Sequence, residues 1–195
     1  MQLILASTSP YRRELMQRLQ LPFEQQAPEF EELKPGQLPP SDLVLRNTMG
    51  KAEAVSALYP QATVIASDQL AVCGDMVLGK PGDAESACQQ LAMVSGKSVD
   101  FLTGLALISA EQRLCEIIPY QVHFRELSKQ EIHRYVSKEN PIDCAGSFKS
   151  EGLGIALFDR MQGDDPTALI GLPLIRLSQW LKPLASLQDS EQISD

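Results

Sequence analysis

The sequence predicts an α/β fold built on a mixed β-sheet, on three observations. Strand-like and helix-like hydrophobic patterns alternate along the 195 residues. The run Ala62-Thr63-Val64-Ile65-Ala66 is continuously apolar and partly β-branched, as suits a strand covered on both faces. Two long strand candidates, residues 98–109 and 113–126, are separated by a short turn and pair most simply antiparallel.

The elements follow in order. Leu3-Ile4-Leu5-Ala6 reads as a short buried strand. Ser9 suits a helix N-cap and Pro10 the first helical position, with Leu15 and Leu19 one turn apart behind them. Phe23 to Ala27 forms another short strand, and a polar, proline-bearing loop runs on to Pro39-Pro40. Ser41 caps a helix that reaches Tyr59 and is ended by Pro60. The strand at 62–66 ends at Ser67-Asp68-Gln69, and a hairpin through Gly74-Asp75 leads to a helix from Asp83 to Met93. Gly96 breaks the chain before the long strand pair, whose turn lies at Glu111-Gln112. Ser128-Lys129-Gln130-Glu131 fits a capping box and opens a helix to Lys138. Residues 145–162 carry Gly146, Gly152 and Gly154 and read as loops around a short helical turn. Leu172-Pro173 begins a last helix through Trp180 to Lys182. A single domain over residues 1–187 and a polar tail over 188–195 account for the whole chain.

Composition narrows the class. With 44% hydrophobic and 22% charged residues, the chain can bury a full core. A formal net charge of -8 argues against sequence-independent binding to nucleic acid, which needs clustered cations. No apolar run approaches the ~20 residues that span a bilayer, and no basic leader precedes the first strand. Cys73, Cys88, Cys115 and Cys144 are scattered without a CxxC pair, as expected of reduced thiols in a cytoplasmic protein. His123 and His133 show no ligand spacing and read as structural; Trp180 reads as core or as a homodimer contact.

The segment Ser7-Thr8-Ser9-Pro10-Tyr11-Arg12-Arg13 brings three hydroxyls, two guanidiniums and free backbone amides to one helix start. Amides and helix dipole favour an anion, and arginine donates in pairs to phosphate oxygens. The alternative is a capped surface helix with two solvated arginines. Asp68, at a strand end, could hold Mg²⁺ or take a proton from water, or simply cap a turn. Lys51 shares a helical stripe with Val44, Thr48, Val55 and Leu58, so it either reaches back to the surface or meets an anion. Glu31 and Glu32 form an acidic pair in a polar loop, and Lys80 sits in the rigid turn Gly79-Lys80-Pro81. Gly74 to Lys80 matches GxxxxGK, but Pro81 replaces the hydroxyl residue a P-loop needs, and Met76-Val77-Leu78 is strand-like.

Together, Ser7-x-Ser9-Pro10-x-Arg12-Arg13, Glu32, Lys51, Ser67-Asp68-Gln69, Gly79-Lys80-Pro81 and the late glycine loop resemble the Maf family of nucleotide pyrophosphatases. The motifs occur in order over residues 3–182. The resemblance implies a long, bent mixed sheet flanked by helices, with two lobes around a central cleft, as in Maf and ITPase-like proteins. It implies hydrolysis of a nucleoside triphosphate to monophosphate and pyrophosphate with a divalent metal, Mg²⁺ or Mn²⁺. Asp68 matches the proton acceptor, and Glu32 would help Asp68 hold the metal. Ser7, Ser9, Arg12, Arg13, Lys51 and Lys80 would bind phosphate.

Three positions mark substrate branches in this family, and here they are Tyr11, Gln69 and Glu151. The stretch Cys144 to Gly152 is similar to the branch that hydrolyses 7-methyl-GTP. Guanine presents two adjacent donors that one carboxylate can accept, and N7-methylation makes the base cationic, which favours stacking on Tyr11. Tyr11 stands where that branch more usually has Trp, and Glu31-Glu32 where Asp-Glu is more usual. The alternatives are a dTTP/UTP pyrophosphatase of the same family, or a nucleotide-binding regulator of cell division with little turnover.

Overall fold

The longest strands meet at the centre of one seven-stranded sheet, in the order β2-β1-β3-β5-β6-β7, with β4 attached to β3. The structure, a computed structural model, describes residues 2–189. The strands are β1 (Leu3–Ala6), β2 (Glu24–Gln26), β3 (Thr63–Cys73), β4 (Met76–Leu78), β5 (Ser98–Ile108), β6 (Arg113–Phe124) and β7 (Phe158–Gln162). The helices are α1 (Pro10–Gln17), α2 (Pro40–Leu58), α3 (Ala84–Val94), α4 (Lys129–Glu139), α5 (Pro166–Ile170) and α6 (Leu174–Asp189). β1 runs parallel to β2 and β3, and all other pairings are antiparallel, so the sheet is mixed as expected.

The pleat sorts the apolar residues onto two faces. Ile4, Ala6, Val64, Ala66, Ala106 and Ile108 pack under Ala52 and Val55 of α2. Leu3, Leu5, Ile65, Leu105 and Leu107 face the larger core on the other side. α2 lies close on β5 because Gly104 has no side chain there: a Cβ would fall 2.2 Å from Thr48 Oγ1. On the opposite face Trp180 packs, partly buried, against the larger core.

The decisive feature for function is a mismatch of strand lengths. β1 pairs with β3 only at Leu3, Ile4 and Leu5, whereas β3 continues along β5 from Val64 to Val72. From Ala66 onward one edge of β3 therefore has no strand beside it until β4 pairs at Ala71. The chain leaving β1 turns into α1 at this gap, and a cleft opens there.

Several boundaries differ from the sequence expectation. Ser67-Asp68-Gln69 does not end the strand but lies in its middle, because β5 continues to pair with it. Pro39, not Ser41, is the N-cap of α2; with Pro40 at N1, two fixed φ angles start the helix without a side-chain cap. Within the expected loop region 145–162, 3₁₀ turns occur at Ala145–Ser147 and Leu153–Leu157, but Phe158–Gln162 is a strand on β6. Its sequence carries no alternating pattern because it is a mostly exposed edge. The five-residue α5 was also unforeseen. The two-residue hairpin at Gly74-Asp75 and the Ser128–Glu131 capping box are as expected, and Asp83 is the N-cap of the helix expected to begin there. Gly74 takes φ +59°, as such a tight turn demands. From residue 190 on, the expected polar tail lies outside the described residues. His123 Nδ1 is hydrogen-bonded to Ser98 Oγ and His133 Nδ1 contacts Cys88 Sγ. Among the described residues no helix is long and apolar enough to cross a membrane.

Candidate active site

The floor of the cleft is an ion triad. Asp68 points from the middle of β3, and the inward stripe of α2 delivers Lys51 to it with buried Val44, Thr48 and Val55 around. Leu58, expected on that stripe, is 60% exposed near the helix end. Lys51 Nζ lies 2.7 Å from Asp68 Oδ1 and 2.8 Å from Glu32 Oε1. The Lys51 and Asp68 side chains are 8% and 10% exposed, so this charge pair sits where neither partner is tolerated alone. Glu32, 55% exposed, comes from the loop before α2. Two anchors hold that loop: Phe30 packs where Gly50 leaves room for its ring, and Asn47 exchanges two hydrogen bonds with the Leu33 backbone.

One wall is the start of α1. Ser7 Oγ accepts from Ser9 N at 3.1 Å, and Ser9 Oγ caps the helix by accepting from Arg12 N at 3.4 Å. Arg12 Nε donates to the Gly171 carbonyl at 2.9 Å. Burial pushes the Arg12 pKa below the ordinary arginine value, while nearby Asp68 and Glu32 push it back up. Arg13 is rotated one position around the helix; it is exposed and does not line the cavity.

The carbonyl that holds Arg12 belongs to a small hub beyond α5. Ser67 Oγ reaches both Gly104 O at 2.7 Å and Gly171 O at 2.8 Å. Gln69 Nε2 lies 2.8 Å from Ala168 O and 3.0 Å from Thr103 Oγ1, so its amide nitrogen faces protein acceptors and its carbonyl oxygen is the end left for a ligand. Buried Asp165 fixes α5 from behind: Oδ1 accepts from Thr167 N and Oδ2 from Ile175 N of α6.

The opposite wall is the segment 143–154. Tyr11 OH donates to Asp143 Oδ2 at 3.4 Å and lies 3.8 Å from Cys144 Sγ. Burial first, then Cys144, Asp143 and Glu151, push the Tyr11 hydroxyl above its ordinary pKa, so it remains protonated. Burial likewise pushes the Cys144 thiol up to about 11. α4 clamps this segment: Lys149 N donates to Tyr135 OH at 3.0 Å, and Leu153 N to Glu139 Oε2 at 2.8 Å. Gly154 is required for the tight loop, since a Cβ would lie 2.3 Å from Lys149 O. Phe148 stacks edge-on with Phe101, Phe124 and Phe158 beneath. Glu151 is exposed at the mouth, touched by Ser150 Oγ at 3.3 Å. Lys80 is exposed on a turn whose Gly82 N bonds Ile142 O, and the strand-like Met76–Leu78 before it confirms that no P-loop forms.

Apart from Arg13, the residues expected to have a catalytic, metal, phosphate or base role line one cavity of about 460 Å³; Glu31 does not line it. Asp143 and Phe101 also line it, and the sequence gives neither a role; Cys144 and Phe148, which belong to the Cys144–Gly152 stretch, line it too. Asp143 adjoins that stretch in sequence, whereas Phe101, on β5, carries no such cue.

Among the described residues no three His, Cys, Asp or Glu side chains are placed to form a metal cage. Asp68 and Glu32 nevertheless converge on one point, held by the Lys51 ammonium. Two oxygen-donating carboxylates at one point are the kind of donor set that holds a hard cation such as Mg²⁺.

A family model described as Maf-like protein matches residues 2–184. A 7-methyl-GTP pyrophosphatase of Alkalilimnicola ehrlichii is 54% identical over 181 residues, covering 92% of this chain and 91% of that protein. The proteins of the same name from Pseudomonas aeruginosa and Pseudomonas putida are 53% and 51% identical, each with 92% of this chain and 94% of theirs covered. Among solved structures, the Staphylococcus aureus Ham1 protein is similar with a TM-score of 0.46 at 15% identity, over 66% of this chain and 73% of that one.

Proposed function

The chain belongs to the Maf family, and from that premise we propose that it hydrolyses 7-methyl-GTP to 7-methyl-GMP and pyrophosphate. The observation that carries the reading is Lys51 held between Asp68 and Glu32 on the floor of a cavity that Arg12, Lys80 and a capped helix start also line. The names of relatives at about half identity support the choice of substrate.

In this reading Arg12, Lys51, Lys80 and the hydroxyls of Ser7 and Ser9 take the phosphate oxygens; the exposed Arg13 contributes at most from outside the cavity. Water attacks the α-phosphorus, the bond to the bridging oxygen breaks, and pyrophosphate leaves. Asp68 accepts the proton released by the attacking water. When bound by Asp68 and Glu32, Mg²⁺ or Mn²⁺ supplies charge neutralisation at the phosphates and acidifies that water. Tyr11 stacks on the base, Glu151 accepts from the guanine N1 and N2 donors, and Gln69 offers its carbonyl oxygen.

The test is pyrophosphate release from 7-methyl-GTP, GTP, dTTP, UTP and CTP with Mg²⁺ or Mn²⁺. Preference for 7-methyl-GTP, with loss in Asp68→Asn, is the expected result. Preference for dTTP or UTP would overturn the substrate while keeping the chemistry. Absence of turnover on every nucleotide would leave a binding protein.

A further inference from the structure

The two ends of the cavity treat their carboxylates differently. Asp68 and Glu32 share one ammonium, whereas neither Asp143 nor Glu151 takes part in an ion pair among the described residues. Both nevertheless line the cavity, on the wall that faces the Tyr11 ring. The partners of Asp143 are neutral: the Tyr11 hydroxyl at Oδ2 and the Cys144 thiol, which donates to Oδ1 at 3.5 Å. Among the described residues, the hydrogen-bond partner of the Glu151 side chain is the Ser150 hydroxyl. Lys149, between them in sequence, directs its Nζ to the Glu139 carbonyl at 3.1 Å. Lys80 stands on the adjoining turn, within the phosphate-binding set proposed above.

We infer that Asp143 is a specificity-determining residue: with Glu151 it makes the base end of the cavity anionic, selecting a nucleobase that carries a positive charge over a neutral base of the same shape. This rests on the nucleotide pyrophosphatase reading above. A purine methylated at N7 bears a formal positive charge on its five-membered ring. Stacked on Tyr11, it gains a cation–π attraction and the field of two uncompensated carboxylates, neither of which a neutral guanine receives. Both bases present the N1 and N2 donors, so the main difference between them is the positive charge that methylation adds. Hydrogen bonding by Glu151 therefore picks guanine, and the charge of the Asp143–Glu151 pair picks its methylated form. Both groups are exposed to solvent, which limits the effect to modest factors.

The test compares kcat/KM for 7-methyl-GTP, GTP and 7-methyl-7-deaza-GTP, in which a carbon replaces N7 and the methylated base is neutral. The wild-type protein is expected to turn over the neutral analogue about tenfold less well than 7-methyl-GTP. Asp143→Asn is expected to remove most of that advantage through KM, with a smaller loss on GTP and the neutral analogue than on 7-methyl-GTP. Wild-type protein that treats the neutral analogue like 7-methyl-GTP would overturn the inference, because shape would then be what is read. So would an Asp143→Asn protein that slows all three substrates equally, or that keeps the wild-type ratios. A wild-type protein with no preference for 7-methyl-GTP over GTP overturns the substrate reading as well, whereas a preference kept intact in Asp143→Asn overturns the inference alone.

Discussion

Asp68 and Lys51 meet at 2.7 Å inside the layer between sheet and helix, whereas Tyr11 and Asp143 meet at 3.4 Å between a helix start and an exposed loop. The first pair hangs from β3, which is laddered to β5 from Val64 to Val72, and from the long helix α2. The second depends on a loop that two side chains of α4, Tyr135 and Glu139, hold in place. Geometry at phosphorus tolerates little displacement, and the groups proposed to act there stand on the scaffold. The groups proposed to recognise the base stand on loops, where one or two substitutions can change recognition without disturbing the chemistry.

The largest effect should come from the scaffold side. Asp68→Asn keeps shape and removes the proposed proton acceptor, so kcat is expected to fall about 10²- to 10⁴-fold with a much smaller change in KM. A drop under tenfold in pyrophosphate release would remove Asp68 from that role. Next comes Lys51→Met, which leaves buried Asp68 without its cation and is expected to cost about 3 kcal/mol of stability. Thermal melts should show Mg²⁺ restoring more of this loss than it adds to wild type. Equal response of both proteins would argue against Asp68 and Glu32 as a cation site.

On the loop side the losses should be smaller and confined to base selection. Gly154→Ala pushes a methyl group against the Lys149 carbonyl and so shifts the loop carrying Glu151. Glu151→Gln removes a charge without moving the loop. Each is expected to raise KM for 7-methyl-GTP about tenfold while kcat changes little; an equal loss on all nucleotides would give Glu151 a metal or structural role instead. The smallest effect is chemical. With its thiol pushed up to about 11, Cys144 should be only about one part in a thousand thiolate at pH 8, so it should alkylate slowly there and about tenfold faster per pH unit above. Rapid labelling by iodoacetamide at pH 8, read by mass spectrometry, would contradict this.

The same division governs how much the sequence disclosed. Lys51 was legible because a charge interrupts an apolar stripe at helical spacing, and Ser9-Pro10 because capping is local chemistry. Asp68 was identified but misplaced: its own neighbours look like a strand end, and only pairing with the distant β5 carries the strand past it. Arg13 could not be told from Arg12, since their difference arises from Gly171, far along the chain, which holds one of them. Asp143 escaped notice because it contacts Tyr11 across 132 positions. The strand β7 and the helix α5 are short or exposed, and neither has a periodicity to read.

The early end of β1 also bears on how the protein folds. β5 and β6 join through a short local turn, whereas β1 must find β3 across the whole of α1, β2 and α2. Loop-closure entropy favours the local pair first, so the cleft should be among the last features to form. Catalytic competence then reports the end of folding rather than its bulk. In a refolding experiment the far-UV signal should recover before pyrophosphatase activity, and simultaneous recovery would contradict this order.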